Sequence, residues 1–525
     1  MKSVKKILLF VAIGAVILMA SNFSSGVLAY EQTIASVFSA PASASNPATP
    51  IQHIIFVINE NHGFDNMFGT FPGLPANYAL NLSECMPFKS SQTTSKPCQK
   101  PYNADNIPTI QETDQCHTWQ CAVPAYNSGK MNGFYQVDTN RTMSYYDSGA
   151  LPQFWDLASY FDLNYNFFSS ALSYSESNHL YAVAAASPKT EVEQSIAPLN
   201  LTYPEIGTAM TNAGVTWGYF QYNWNDAKDC TGNYNSQSGL FKGGGGDGYW
   251  EGEAQFRAVQ NTAIECSSLG NINDFLNGLA TNTLPQVSFV IPEPSESGHP
   301  AQGTWQANEQ FTTSVINDIE QSPVWAHSVT YVTWDDYGGY YDGVVPNQID
   351  EYGNGFRVPL IAISPYTITG LIGGCTGAST DGCAPSYSYY DNFTNFHGTT
   401  TQDDFSAFLS TIEYNWGVQP IAARDAEEPS LFYMLNFSQP PLAPLYFNSN
   451  YALSAYPVSA CVTKGGCQVG TAFSARLPLL SSICSCVSIA TGGSKLYSAY
   501  NASSPTWAES PQQSAAFAGD GDPDD

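Results

Sequence analysis

Positive charge is what this chain most lacks. Only 17 of its 525 residues are Lys or Arg, against 45 Asp and Glu, which gives a formal net charge of −28. That deficit excludes a general basic surface for nucleic acid, and an anionic substrate would need a local cation. Charged residues of both signs make up only 12% of the chain, so surface ion pairs can carry little of the fold. Histidine is scarce as well, at 7 in the whole chain, which makes each one beside a candidate site informative. After the first thirty residues no apolar run approaches the ~20 residues that span a bilayer. No His or Cys pair stands at the C-x2-C or H-x3-H spacing that zinc sites favour, so structural bridges are the better use for the 12 cysteines. Below about pH 4 the carboxylates protonate and most of the negative charge disappears, so the composition is compatible with life in acid.

The N-terminus has a basic start (Lys2, Lys5, Lys6), an apolar stretch from Ile7 to Ala20, and Val27-Leu28-Ala29 as a small-residue cleavage site. Residues 1–29 therefore read as a secretory signal, with an uncleaved anchor as the competing reading, and the expected location is secreted or on the extracellular cell surface. In such a compartment cysteines pair, and close neighbours are Cys85 with Cys98, Cys116 with Cys121, Cys375 with Cys383 and Cys461 with Cys467, while Cys484 and Cys486 are too near each other for an easy bridge. Asn-x-Ser/Thr sequons at Asn81, Asn140, Asn200, Asn392, Asn436 and Asn501 are compatible with a glycoprotein. Residues 30–50, rich in Ala, Ser and Pro, read as a linker, 51–445 as one large domain, and 446–525 as a cysteine-containing region with a disordered acidic tail.

Within the large domain, apolar runs at 53–58, 214–220, 286–291, 329–334 and 357–363 are short and rich in β-branched or aromatic residues. Helix-forming segments such as 305–321 and 404–416 separate them. The alternation predicts an α/β fold with a doubly wound, mostly parallel central sheet and helices on both faces. Ligands in such folds bind beyond the carboxyl ends of strands. The first run, from His53, ends in Glu60 and Asn61, and the run from Val329 to Trp334 ends in Asp335-Asp336 followed by Gly338-Gly339. Adjacent carboxylates at buried strand ends repel unless a cation sits between them, and these four residues offer an all-oxygen nest for one divalent metal ion. Alone, Glu60-Asn61 would be a turn or a cap. Ser173, Ser175 and Ser177 precede a helix-prone segment from Leu180 to Ala186, where backbone N–H groups favour a phosphate or an alkoxide, although a plain N-cap is the simpler reading. His117 and His299 lie beside candidate site segments and as imidazolium could donate to phosphate oxygens or protonate a leaving group. His62 follows the first acidic pair and could orient it.

These motifs, in this order, resemble the bacterial and archaeal phosphoesterases that include phospholipases C and respiratory-burst-inhibiting acid phosphatases, within the alkaline phosphatase superfamily. Residues 53–73 look like the opening motif Glu-Asn-x-x-Phe-Asp-x-x-Phe-Gly-x-x-Pro-Gly, and 114–134 like Asp-x-x-His-x-Trp with a following Gly-Lys-Met-Asn-Gly-Phe. Residues 166–181 resemble the nucleophile region, with Ser175 at the family's Ser or Thr and Asn178-His179 at its Asn-Arg or Asn-His. Residues 284–300, 328–342 and 355–366 resemble the remaining motifs. Gly343 stands where many relatives carry His, and Asp403-Asp404 where others have His before Ser. The resemblance implies an alkaline phosphatase-like fold, one metal held by Glu60, Asn61, Asp335 and Asp336, and Ser175 as both ligand and nucleophile. It also implies His117 and His299 at the phosphoryl oxygens or leaving group. The implied substrate is a phosphomonoester or a phospholipid, the latter with peripheral membrane contact through the aromatic loop from Tyr387 to Phe396. A non-catalytic surface glycoprotein keeping the fold is the alternative. A sulfatase fits less, because the Ser175 region lacks the Pro and Arg of the formylglycine motif.

Overall fold

The computed structural model describes residues 43–88, 98–106, 113–188, 190–191, 200–222, 250, 252–260, 262–374 and 402–447. The signal segment, most of the linker, the aromatic loop from Tyr387 to Phe396, the tail after residue 447 and the cysteines from Cys375 onward lie outside the described residues.

Eight strands form one sheet: β1 (His53–Asn59), β2 (Asp162–Asn164), β3 (Trp217–Gln221), β4 (Leu269–Gly270), β5 (Val287–Ile291), β6 (Ser328–Trp334), β7 (Leu360–Ile363) and β8 (Gly370–Ile372). Their spatial order is β8-β2-β7-β6-β1-β5-β3-β4. The pairs from β6 through β1, β5 and β3 to β4 are parallel, and β7 runs against both of its neighbours. All five expected apolar runs are strands here. The three that went unread are only two or three residues long, too short to show a period.

The central strands are apolar on both faces because both faces are covered. All seven residues of β6 are buried, and in β1 only His53 is not fully so. The main helices are α1 (Phe64–Phe68), α2 (Trp119–Tyr126), α3 (Pro152–Tyr160), α4 (Ser175–Ala184), α5 (Ile206–Ala213), α6 (Ile272–Thr281), α7 (Trp305–Gln321) and α8 (Ser406–Trp416). Helices α3, α6 and α7 pack together as one layer, and α4, α5 and α8 as another. Phe56 of β1 stacks on Phe289 (5.1 Å), Tyr331 (5.7 Å) and Phe408 of α8 (4.4 Å), while Trp334 meets Phe154 of α3 at 5.0 Å. Local signals set the helix bounds. Asn271 and Asp274 form a capping box on α6, Thr304 caps α7 through the N–H of Ala307, and Gly417 in left-handed conformation ends α8.

Among the described residues, several core carboxylic acids have no base beside them. Glu309 accepts the N–H groups of Gln153 (2.8 Å) and Phe154 (2.9 Å) at the start of α3, and burial pushes it up to about 8. Glu320 accepts from Leu445 N and lies well above the usual range because it is buried. Burial also raises Glu253, which accepts from Gly207 N beside Glu205, and raises Asp162. Glu413 is pushed up to about 10, by burial first and then by Asp425 beside it. A carboxyl whose folded pKa is raised stabilises fully below its unfolded value, near 4, and that stability is lost as pH rises through the folded value. Two histidines oppose this. Burial lowers His53, and lowers His62 to about 3, so their contribution fades as pH falls below about 6.5. The carboxyls outnumber them. Thermal unfolding of the metal-free protein should therefore have a midpoint roughly 5–10 °C higher at pH 4 than at pH 8. A midpoint equal or lower at pH 4 in scanning calorimetry would contradict this accounting.

Candidate metal centre and active site

The β1–β6 register pairs Asn59 with Trp334, so Glu60-Asn61 and Asp335-Asp336 leave the sheet side by side at its carboxyl edge. The turn after β6 has to pass very close to β1. A Cβ on Gly338 would lie 1.8 Å from the Asn61 carbonyl oxygen, and one on Gly339 would lie 2.3 Å from Gln115 Cβ. Both glycines also have positive φ, 59° and 77°. Asn61 is itself left-handed, with φ 57°. Its N–H donates to Asp335 Oδ1 at 2.7 Å, which ties the two strand ends together.

Ser175 arrives from the other side. It is the first residue of α4, with Tyr174 in the cap position, so its hydroxyl is not used as a cap. The hydroxyl instead donates to Glu60 Oε2 (3.0 Å) and faces Asn61 Oδ1 (3.1 Å). The helix begins five residues earlier than the sequence suggested, because the polar run Ser175–His179 is buried and helical rather than loop. Asn178 fixes this start: its side chain accepts from Ala171 N at 3.0 Å and donates to Ser173 O at 3.0 Å.

One turn after Ser175, His179 points its Nε2 at Glu60 Oε1, 2.9 Å away. Ligand atoms of Glu60, His179 and Asp335 all lie within 4.8 Å of one another, and all three residues are buried. Asp336 stands in the bend after β6, accepts from Gly338 N (2.7 Å), and has its other oxygen 3.9 Å from His117 Nε2. His179, mentioned in the sequence only for its motif, thus stands in the cluster, and its i+4 spacing from Ser175 on one helix face was the available signal.

His117 and His299 are both fully buried and meet edge to face at 6.4 Å. Nδ1 of His117 lies 2.7 Å from Gln115 O, and Nδ1 of His299 lies 2.8 Å from Pro300 O, so in the neutral ring each Nδ1 carries the proton. The Nε2 atoms, 3.2 and 2.8 Å from the end of the Asn61 amide, then present lone pairs to it. His62 lies outside this set. Its nitrogens meet Asn66 Oδ1 and Gly298 O, both at 2.8 Å, and its ring stacks on Trp305 at 4.1 Å. Gly343 donates to Asp65 Oδ2 in a separate buried cluster around Arg357, and Asp403 meets the Tyr433 hydroxyl.

Residues 51–419 match the Phosphoesterase family. The chain belongs to that family. It is 24% identical to the hemolytic phospholipase C of Pseudomonas aeruginosa over 387 residues, covering 61% of this chain and 50% of that protein. It is also 24% identical to phospholipase C B of Mycobacterium tuberculosis over 457 residues, covering 75% and 79%. The chain spans about half the length of the Pseudomonas and Burkholderia phospholipases that it matches. Among solved structures, it is similar to a protein in the alkaline phosphatase superfamily from Vibrio parahaemolyticus, 10% identical over 79% of this chain and 83% of that one, with a TM-score of 0.32.

The donor set itself tests whether this phosphoesterase site suits a cation. One end of the Asn61 amide lies 3.1 Å from Ser175 Oγ and 3.2 and 3.3 Å from the Asp335 carboxylate, and the other lies beside the two imidazole Nε2 atoms. Glu60, Asn61, Asp335 and Ser175 gather oxygen atoms of the kind a divalent ion accepts, and ligand atoms of Glu60, His179 and Asp335 stand within 4.8 Å of one another. Titration calorimetry should find that Asp335→Asn weakens divalent-metal binding by about a hundredfold and that Asp336→Asn weakens it by less than about threefold. Equal losses would place both aspartates on the ion.

Proposed function

We propose that the chain is a secreted, metal-dependent hydrolase of phosphoric esters that works through a phosphoserine. The observation that carries this reading is Ser175 at the start of α4, its hydroxyl 3.0 Å from Glu60 Oε2 and turned away from capping. Family membership and relatives named phospholipase C support the reaction class. The signal-like N-terminus and two disulfides, Cys85–Cys98 and Cys116–Cys121, support an oxidising, extracytoplasmic location.

A divalent ion held by Glu60, Asn61, Asp335 and Ser175 would supply charge stabilisation for the phosphoryl oxygens and lower the pKa of the serine hydroxyl. This chain's own groups do the rest. The Ser175 proton has an acceptor in Glu60 Oε2, and the freed oxygen attacks phosphorus while the ester oxygen departs. Ser175 at the first turn of α4 stands at the positive end of the helix dipole, which favours the incoming negative charge. Asn61 holds His117 and His299 with their Nε2 atoms converging, where either, when protonated, donates to a phosphoryl oxygen or to the leaving oxygen. Water then hydrolyses the phosphoserine.

Phosphomonoesters and phospholipid headgroup diesters both fit this chemistry. The relatives' names favour the diester, with a peripheral membrane surface as partner. Among the described residues no helix is long and apolar enough to cross a membrane. Assays of a chromogenic phosphomonoester and a phosphocholine diester over pH 2–8 should show turnover that chelator removes and added metal restores. Ser175→Ala should reduce it by at least about 10³-fold even at metal concentrations that saturate the variant, whose metal affinity falls with the lost hydroxyl. An active Ser175→Ala protein would exclude the phosphoserine route, and an inactive metal-loaded wild type on both substrates would favour a binding protein.

A further inference from the structure

The Cys116–Cys121 bridge encloses His117 in a short loop, with Cα atoms 5.9 Å apart and a sequence separation of 5. By loop-closure entropy so short a loop adds less stability than Cys85–Cys98, whose separation is 13. Its placement is more telling. Both cysteines are half-buried and lie toward the surface, whereas His117 between them is 0% exposed and faces Asn61.

The segment needs such a tie because α2, which starts at Trp119, is weakly built. Thr118 occupies its cap position without a side-chain cap bond, Pro124 lies inside it, and only Ala122 and Ala125 are buried. Proline removes one internal hydrogen bond and an uncapped first turn frays, so α2 alone would hold the backbone at His117 loosely. On the near side the backbone is already fixed. Cys116 N donates to Asp138, His117 Nδ1 meets Gln115 O, and Thr139 donates to Gln115 Oε1 at 2.6 Å. The bridge joins this fixed side to the first turn of α2.

We propose that the Cys116–Cys121 disulfide is a positioning device for His117, so that turnover depends on this one bridge being oxidised. The proposal rests on the reading of His117 as a group that meets the phosphoryl oxygens or the leaving group. Displacement of such a group by about an ångström costs up to about a hundredfold in rate.

The test uses the full metal-loaded chain and a chromogenic phosphomonoester. The Cys116→Ser/Cys121→Ser variant should lose about tenfold in kcat with KM within about twofold, and the Cys85→Ser/Cys98→Ser variant should keep kcat within about twofold. Repeating both in a His117→Ala background separates positioning from general stabilisation. There, opening the Cys116–Cys121 bridge should cost less than about twofold, because the group it positions is gone. Where His117→Ala turns over too slowly, the same cycle is read in orthovanadate affinity. If the serine variant does not fold, dithiothreitol opens the bridge in the folded wild type. The disulfide takes two electrons and two protons, the reagent leaves as its cyclic disulfide, and peptide mapping gives the reduced fraction. Rate should then fall with that fraction and return on reoxidation. Unchanged kcat with the bridge open, or an equal loss in both His117 backgrounds, overturns the proposal alone. An oxidised wild type with neither turnover nor orthovanadate binding overturns the hydrolase reading and the proposal with it.

Discussion

The structure depends on one electrostatic constraint: two parallel strands in exact neighbouring register deliver Glu60, Asn61 and Asp335 to the same point. Acceptor oxygens gathered in a buried place repel one another, and the Asn61 N–H, the Ser175 hydroxyl and His179 Nε2 offset part of that repulsion. The scaffold enforces the convergence. Buried parallel strands fix where the chain emerges, Gly338 lets the following turn press against Asn61, and the Asn61 N–H clamps Asp335. The sheet thus concentrates negative charge, and the first turn of α4 and the two imidazoles complete the surroundings of Ser175.

Around this point two arginines are used as internal struts. Arg357 is fully buried, donates to Asp342 (2.9 and 3.1 Å) and Asp65 (2.9 Å), and stacks over Phe64 at 4.6 Å. It thereby joins α1, which follows the Glu60-Asn61 turn, to the segment that follows Gly338-Gly339. Arg424 binds Asp404 (2.6 Å), Asp350 (3.0 Å) and the Ser170 carbonyl (2.7 Å), bracing the loop that leads to Ser175. Removing one partner from such a buried cluster strands the other charges, at a cost of about 3–5 kcal/mol. Both struts hold loops of the site rather than the sheet.

The remaining buried acids fit the composition. A chain with so little positive charge cannot pair its interior carboxyls, and those of Glu253, Glu309, Glu320 and Glu413 are raised by burial into forms that are neutral in acid. Protonated, they donate as well as accept, which suits groups that cap helices and loops from inside. A molecule built this way gains interior order under the same conditions that remove its surface self-repulsion.

Patterns along one strand or one motif were enough for much of this. The five apolar runs marked the main strands because strands buried on both faces are continuously apolar. Glu60, Asn61, Asp335 and Ser175 stood out because polar oxygens abruptly end such runs or open a helix. The Cys116–Cys121 pairing was suggested by proximity alone. Other features needed the third dimension. Asp336 lies near His117 because of the bend that follows β6, and His179 enters the cluster because the helix starts at Ser175, which brings residue i+4 onto the same face. The roles of Asn61 as a hinge between Asp335 and the imidazoles, and of Arg357 between two distant aspartates, depend on contacts between segments far apart in sequence. Sequence determined which groups end each strand, since local hydrophobic period is written in neighbouring residues. Only the tertiary structure decided which of those groups face each other, because strand register and helix phase are set by packing between distant segments.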